Sequence, residues 1–217
     1  MLTAEQVVAN VVDKYQRCAS YLDEVEVRAE VIGDRILSSR SDDIRESLRT
    51  FFVRNIAFRF ERRLETTRGS SPIATILSKG DRTSLWSGRQ DRVDHVSLSN
   101  ALSFVNYEVP KLLFGIESPS LFRWQNIRLV GIEAVNDCNC YCLEIVPDYG
   151  EPHTYWVGTI EPSLHRIVHS YSFRVNDPSV RQIAPDDQLV VRRVWHIRRI
   201  VFDDVIDPSF FDEPDVV

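Results

Sequence analysis

Three of the four cysteines stand at alternate positions, Cys138, Cys140 and Cys142, while Cys18 lies far upstream. Clustered thiolates could bind zinc, but the outer two α-carbons would lie about 13 Å apart in a straight strand. A tetrahedral site with zinc–sulfur distances of ~2.3 Å would therefore require a bent strand, and the same span excludes a Cys138–Cys142 disulfide. The residues leave three alternatives open: a disulfide from Cys18 to one of the three, free buried thiols, or a metal site.

No other spacing predicts a catalytic centre. The chain lacks G-x-S-x-G, H-E-x-x-H, the P-loop and G-x-G-x-x-G. His165 and His169 would lie about 13 Å apart along a strand, too far to share a metal. Adjacent carboxylates such as Asp186 and Asp187 face opposite ways in an extended chain, which is unsuited to acid–base work. We therefore predict that the protein is not an enzyme and has no cofactor, no catalytic residue and no metal.

The charge balance argues against a nucleic-acid partner. The formal net charge is −6, whereas nucleic-acid binding is driven by basic surfaces. The arginine-rich run at residues 192–199 contains Trp195, and such a run could form a stacking platform. Its period of two instead divides the arginines between the faces of a strand. We expect no nucleic acid among the partners.

Hydrophobic periodicity predicts two helical regions among many strands. Thr3 and Gln6 form a capping-box pattern ahead of an apolar stripe that continues to about Cys18. A second helical pattern, interrupted by Pro110, covers residues 95–115. Elsewhere the period is two, including residues 48–64 and the strands that resume at about Leu121, and Gly33-Asp34, Lys79-Gly80-Asp81 and Asn136-Asp137 are turn signals between strands. The helical region at 95–115 is therefore an insertion within a strand meander.

These elements predict an α+β fold in a single domain covering residues 1–217. We expect about nine to eleven antiparallel strands, since the turn signals recur at hairpin spacing. A meander of this length must cover its apolar face and manage its edges. The economical arrangement is a strongly curved sheet, an incomplete β-barrel, wrapped around the N-terminal helix with the helical insertion as a lid. A closed β-barrel with an external helix is the alternative.

Large apolar side chains are spread over the strands and the insertion, and 43% of all residues are apolar. They are ordinary core residues or the lining of a cavity kept for a ligand. The candidates for a ligand cavity are Phe58, Phe60, Trp86, Leu112, Leu113, Phe114, Trp124 and Trp156.

Short motifs along nearly the whole chain resemble the LolA/LolB-like outer-membrane lipoprotein-sorting superfamily, in the same order. They include C-x-S-Y-x-D, F-x-R-x-x-x-F-R-F-E, T-S-L-W, C-Y-x-L-E and a closing P-x-F-F. In this sequence the similar segments are residues 18–23, 52–61, 83–86, 109–113, 140–144, 155–157, 164–167 and 207–211. Two positions depart from the pattern, since Asn55 replaces a proline and Gly158 replaces an aspartate.

The resemblance implies an incomplete barrel with a helical lid over an apolar cavity, and a non-catalytic role in binding a lipid or the acyl chains of lipoproteins. It also implies that Arg54 latches the lid and that Cys18 and Cys140 form a disulfide. Membrane-associated proteins are possible partners under this hypothesis. The alternative is a protein-interaction or envelope-sensor module with a filled core and no lipid cavity.

The resemblance further implies a periplasmic or cell-envelope location. The first residues, Met1 to Gln6, lack the basic and apolar regions of a signal peptide. We therefore expect that an export signal has been removed from this chain.

Overall fold

The first and last strands of the protein pair with each other in the middle of one eleven-stranded sheet. The computed structural model describes residues 2–32, 45–67, 69–88, 91–117, 119–148, 151–174 and 188–214. The turn expected at Gly33-Asp34 lies outside these residues. No helix in the described ranges is both long and apolar enough to span a membrane.

All neighbouring strands are antiparallel, in the order β6-β5-β4-β3-β2-β1-β11-β10-β9-β8-β7. The strands are β1 Ser20–Ile32, β2 Arg45–Val53, β3 Ala57–Thr66, β4 Gly69–Lys79, β5 Arg82–Ser87, β6 Asp91–Asp94, β7 Trp124–Val135, β8 Cys138–Pro147, β9 His153–Gly158, β10 Leu164–Arg174 and β11 Gln188–Phe202. The helices are α1 Ala4–Arg17, α2 Leu98–Ser103, α3 Glu108–Leu113, α4 Pro119–Phe122 and a final 3₁₀ helix, Pro208–Phe211. The predicted α+β fold, an open curved antiparallel sheet with an N-terminal helix, is confirmed.

Helix α1 forms as its sequence predicts. The Thr3 hydroxyl accepts a hydrogen bond from the Gln6 amide, and the Gln6 side chain accepts one from the Thr3 amide, which completes the capping box. Val7, Val11 and Tyr15 are buried along one face. This face packs into the main core on the concave side of the sheet.

Three local predictions are corrected. The apolar pattern at 48–64 is two strands, because the chain turns at residues 54–56. Pro110 does not interrupt a helix but lies in the first turn of α3, where its missing N–H costs no internal hydrogen bond. The chain resumes β structure at Trp124, after α4, and not at Leu121.

The sheet has two differently covered faces. Alternate residues such as Phe58 and Phe60 face the main core with α1. On the other, convex face, the C-terminal 3₁₀ helix covers β2, and Phe210 stacks on Phe51 with ring centroids 4.5 Å apart. A third cluster on that face surrounds Trp156. The convex face is therefore partly covered.

The helical insertion, residues 95–123, connects the two edge strands of the sheet. The chain leaves β6 at one edge and enters β7 at the other. Between them, α3 packs against α1, and the buried side chains of α2 and α3 join the main core. The insertion therefore crosses the concave face of an open barrel.

Candidate functional site

The helical insertion fills the concave face with apolar side chains. Leu102, Val109, Leu112 and Leu113 are at most 1% exposed and share one cluster with the inner residues of the sheet. These side chains lie on α2 and α3, which are only six residues long each. Such short helices depend on tertiary packing, because they are too short to be stable alone.

Arg54, in the turn after β2, joins the insertion to α1. Its Nε donates to the carbonyl of Cys18 at 2.7 Å, and its Nη2 donates to the carbonyl of Tyr15 at 3.1 Å. Its Nη1 reaches the carbonyl of Leu113 at 3.5 Å. A guanidinium at the C-terminal ends of α1 and α3 also interacts favourably with both helix dipoles.

The end of α3 leaves the Leu113 carbonyl free for this contact. The amides of Gly115 and Ile116 bond the carbonyls of Leu112 and Lys111, as in a Schellman motif. Gly115 has φ 66°, which the motif requires at that position. The last carbonyl of the helix, that of Leu113, then faces Arg54.

The turn that carries Arg54 also explains the departure from the superfamily pattern at Asn55. Asn55 has φ 60°. Proline is restricted to φ near −65° and could not occupy this turn, whereas asparagine tolerates the left-handed region. The proline pattern and this turn conformation are thus mutually exclusive.

A cleft of about 350 Å³ opens beside Arg54, between the β2–β3 turn and the insertion. We call it the lid cleft and define it by Phe52, Arg54, Phe58, Leu98, Leu113 and Phe114. The ring of Phe114 packs edge-on against Phe52 and Phe58, with centroids 5.3 and 5.1 Å away. The cleft is of ligand-binding size, and its exposed lining is about equally polar and apolar, with Asn55 and Ser78 beside the aromatic and leucine side chains.

The predicted cavity residues divide into three groups. Phe58, Leu113 and Phe114 line the lid cleft together with Arg54. Phe60 and Leu112 are buried in the main core behind it, and Trp124 packs against that core. Trp86 and Trp156 lie in two other clusters, and the structure does not bring them to the concave face.

Strand alternation explains the position of the two tryptophans. On β5, Leu85 packs against the main core, so Trp86 faces the convex side, where Arg92 lies over its ring. On β9, Tyr155 faces inward, and the Trp156 indole N–H donates to Glu133 at 2.8 Å on the outside.

The implied Cys18–Cys140 disulfide is absent from the structure, where all four cysteines are free. Cys18 packs in the main core beneath α1, whereas β8 directs Cys140 and Cys142 into the convex cluster with Trp156. The sheet separates the two thiols, so this prediction is wrong. No cluster of three His, Cys, Asp or Glu side chains in the described part of the chain could hold a metal ion.

We expect four free thiols of unequal reactivity. Cys138 is exposed, whereas burial raises the pKa of Cys140 and Cys142 to about 11 and also raises the pKa of Cys18. Because the thiolate is the reactive form, an aromatic disulfide reagent should modify one thiol of the native protein rapidly. The other three should react only in denaturant. If only two thiols react in denaturant without reductant, two cysteines are joined in a disulfide and the expectation of four free thiols is wrong.

A buried carboxylate, Asp23, ties the insertion to the floor of the barrel. It is fully buried, and its Oδ2 accepts hydrogen bonds from the hydroxyls of Tyr107, at 2.7 Å, and Tyr21, at 2.9 Å. Tyr107 precedes α3, so this bond connects the insertion to β1. Sequence reasoning missed Asp23 as a site residue, although its inward position between Tyr21 and Val25 was the available signal.

Two histidines form a second polar group on the inner face. The rings of His153 and His169 stack 3.6 Å apart, and the Tyr155 hydroxyl lies 3.2 Å from His169 Nε2. Burial lowers the pKa of His153 to about 4 and that of His169 to about 2. Both rings are therefore neutral at pH 7.

These groups predict opposite contributions to stability in acid. Burial raises the pKa of Asp23 to about 6, against the hydrogen bonds of Tyr107, Thr50 and Tyr21, which lower it. The free energy of unfolding therefore gains about 2 kcal/mol from Asp23 as pH falls from 6 to 4. His153 and His169 act oppositely, because the unfolded chain protonates them first below about pH 6.5.

The Asp23→Asn variant separates the two effects. We expect its unfolding free energy to fall more steeply than that of the wild type between pH 6 and pH 4. Urea unfolding followed by tryptophan fluorescence measures both slopes. Equal slopes would contradict the raised pKa of Asp23.

Ser163 and His165 approach each other at the β9–β10 turn, with Oγ and Nε2 3.1 Å apart. Ser163 is 3% exposed, and its hydroxyl and amide both contact the carbonyl of Glu161. These bonds hold the turn together. A substrate would have to reach a buried hydroxyl, so the pair is poorly suited to nucleophilic catalysis.

No protein-family profile and no curated protein sequence matches the chain. A chain of the Pseudomonas aeruginosa MucA–MucB complex matches its fold with a TM-score of 0.51 and 8% identity, over 98% of this chain and 62% of that one. The Mycobacterium tuberculosis lipoprotein LppX matches with a TM-score of 0.49 and 15% identity, over 94% and 97% of the two chains. A LolA superfamily protein from Nitrosomonas europaea matches with 0.39 and 12%, over 98% and 99%.

Similarity this remote concerns the fold alone. The predicted open antiparallel sheet with a helix against its concave face is confirmed, and the chain of the MucA–MucB complex shares this fold. The identities are far too low to transfer a ligand or a partner.

Proposed function

We propose that the protein is a non-catalytic binding or carrier protein for a hydrophobic ligand, such as the acyl chain of a lipid or lipoprotein. The ligand enters at the lid cleft and occupies the concave face in place of the helical insertion. The observation that carries the proposal is the position of the lid cleft, which opens onto the apolar inner face of the sheet. Its walls, Phe52, Phe58 and Leu113, belong to the same cluster as the inner face that the insertion fills.

The insertion is suited to act as a lid. It is anchored at both ends by the edge strands, and its helices α2 and α3 are held by apolar packing, by Arg54 and by the Tyr107–Asp23 hydrogen bond. Withdrawal would expose a largely apolar surface of the size that hydrophobic ligands require. The proposal includes a location in the periplasm or cell envelope. Because the four cysteines are free, no disulfide supports that location.

The direct test is a search for lipid in the purified protein, followed by titration with a dansyl-labelled undecanoic acid. We expect co-purifying lipid by mass spectrometry and saturable probe binding. Leu98→Trp should weaken probe binding by filling the cleft, because Leu98 lies in its wall. Val93→Trp, at an exposed position on β6, is the matched control. Absence of both lipid and probe binding would refute the proposal.

A second candidate function is a protein-interaction or sensor module with a permanently filled core. It is favoured by the burial of Leu112 and Leu113, which are inaccessible to solvent in this structure. Under this alternative an affinity purification would recover a specific protein. No lipid would co-purify, and neither the wild type nor the Leu98→Trp and Val93→Trp variants would bind the dansyl probe.

A further inference from the structure

One row of the inner face carries two polar residues, and it lies directly behind the lid cleft. The strand register places Tyr21, Phe52 and Phe58 side by side in one row, and the two phenylalanines of that row line the cleft. Asp23, Thr50 and Phe60 form the next row. Rows two residues apart are about 7 Å apart, so a ligand that passes the cleft reaches Asp23 next.

Asp23 is incompletely satisfied in this row. Its Oδ2 accepts both phenol hydrogen bonds, whereas its Oδ1 has no partner of normal geometry in the described ranges. Thr50, the residue opposite on β2, is the hydrogen-bonding neighbour of Asp23 on this side, but its buried hydroxyl likewise has no bond of normal geometry in the described ranges. A buried acceptor with only a weakly bound donor is costly, and a charged one especially so.

Withdrawal of the insertion would make this deficit larger. Tyr107 belongs to the insertion and would leave with it, whereas Tyr21 lies on β1 and would stay. A plain hydrocarbon chain that replaced Tyr107 would cover the carboxylate and return no donor. A ligand with a hydroxyl at that depth would restore the lost hydrogen bond.

We infer that Asp23 and Thr50 select hydrophobic ligands that carry a hydrogen-bond donor, such as a hydroxyl or phenol, within their apolar part. Tyr107 is the built-in occupant of this subsite, and its phenol holds the place of the ligand hydroxyl. The inference rests on the proposed function, because it concerns the ligand that replaces the insertion.

Three matched probes test the selectivity by displacement of the dansyl acid. 4-Hexylphenol donates and accepts a hydrogen bond, 4-hexylanisole only accepts, and hexylbenzene does neither. We expect 4-hexylphenol to bind about tenfold or more tightly than the other two, as a hydrogen bond to a buried carboxylate implies.

The variants assign this preference to residues. Asp23→Asn should reduce it to about threefold or less, because an uncharged acceptor forms a weaker bond. Thr50→Val, which keeps the side-chain volume, should reduce the preference for 4-hexylphenol in part. It provides a second test of the subsite if Asp23→Asn folds poorly. Tyr107→Phe should raise the affinity for 4-hexylphenol, because no internal phenol competes for Asp23. Glu24→Gln, on the convex side of the same strand, is the control and should change nothing.

The outcomes separate the two hypotheses. Equal binding of the three probes, unaffected by Asp23→Asn, would overturn the selectivity while leaving the proposed function in place. Failure of the dansyl acid and of all three probes to bind would overturn both.

Discussion

Replacing Leu112 with alanine is expected to weaken the fold and, at the same time, to strengthen the binding of an acyl probe. Leu112 is fully buried on the insertion, and a buried leucine-to-alanine change costs about 2–5 kcal/mol. The loss falls on the closed state, because the side chain belongs to the segment that must leave. If the open state is rare, a shift of about 1.4 kcal/mol toward it raises the apparent affinity tenfold.

Phe60→Ala should act in the opposite direction on affinity. Phe60 is 2% exposed, lies on β3 and belongs to the floor that the ligand would contact. Its loss should cost about 3–5 kcal/mol of stability and weaken probe binding, since the open state keeps less apolar surface. The two variants therefore agree in stability and differ in the sign of the affinity change.

Leu22→Ala is the matched control. Leu22 is buried on β1 but belongs to the convex cluster with Phe51 and Trp86. It should lower the urea midpoint without changing the dissociation constant of the probe. A fall in affinity for Leu112→Ala, as for Phe60→Ala, would contradict displacement of the insertion by the ligand.

The second large effect is expected at Arg54. Arg54→Met removes a partly buried guanidinium that bonds the carbonyls of Tyr15 and Cys18 and contacts that of Leu113. We expect a loss of about 2–4 kcal/mol in the free energy of unfolding, because bonds to charged donors are the stronger ones. Probe affinity should rise, since one tether of the insertion is lost.

Arg54→Lys tests whether the fork geometry matters beyond the charge. A lysine keeps the favourable charge at the helix ends but cannot reach the carbonyls as a planar fork, so about half of the loss should remain. Arg49→Met, at an exposed position on β2, should change stability by less than about 0.5 kcal/mol. Equal unfolding midpoints for Arg54→Met and Arg49→Met would show that Arg54 is no latch.

Local patterns predicted the elements of this fold well. The capping box at Thr3 and Gln6, the apolar stripe of α1 and the turn at Asn136-Asp137 depend on residues close in sequence. Those interactions form within the segment itself, which is why periodicity and turn chemistry identify them.

The failures concern which face of the sheet a residue reaches. Trp86 and Trp156 have the size of cavity residues, but strand alternation directs them to the convex side, where Trp86 packs in one cluster with Phe211 of the C-terminal 3₁₀ helix and Trp156 packs with side chains of neighbouring strands. The Cys18–Cys140 pairing failed for the same reason. Period two shows that two residues face opposite ways, and only the tertiary structure shows which face is the concave one.

Asp23 illustrates what remained hidden. Its inward position is visible in the alternation of β1, but its partner Tyr107 lies 84 positions away. The connection depends on how the insertion crosses from one sheet edge to the other. No local pattern specifies that path.

The most direct test of ligand-driven opening is the distance between the insertion and the sheet. Nitroxide labels at Ser103→Cys on α2 and Arg82→Cys on β5, both exposed, can be introduced with Cys138→Ser to remove the exposed native thiol. Pulsed electron resonance then measures the label separation with and without a saturating acyl ligand. We predict a shift to longer distances on binding, with part of the same shift in Leu112→Ala without ligand. A ligand that binds while the distance distribution stays unchanged would contradict the account.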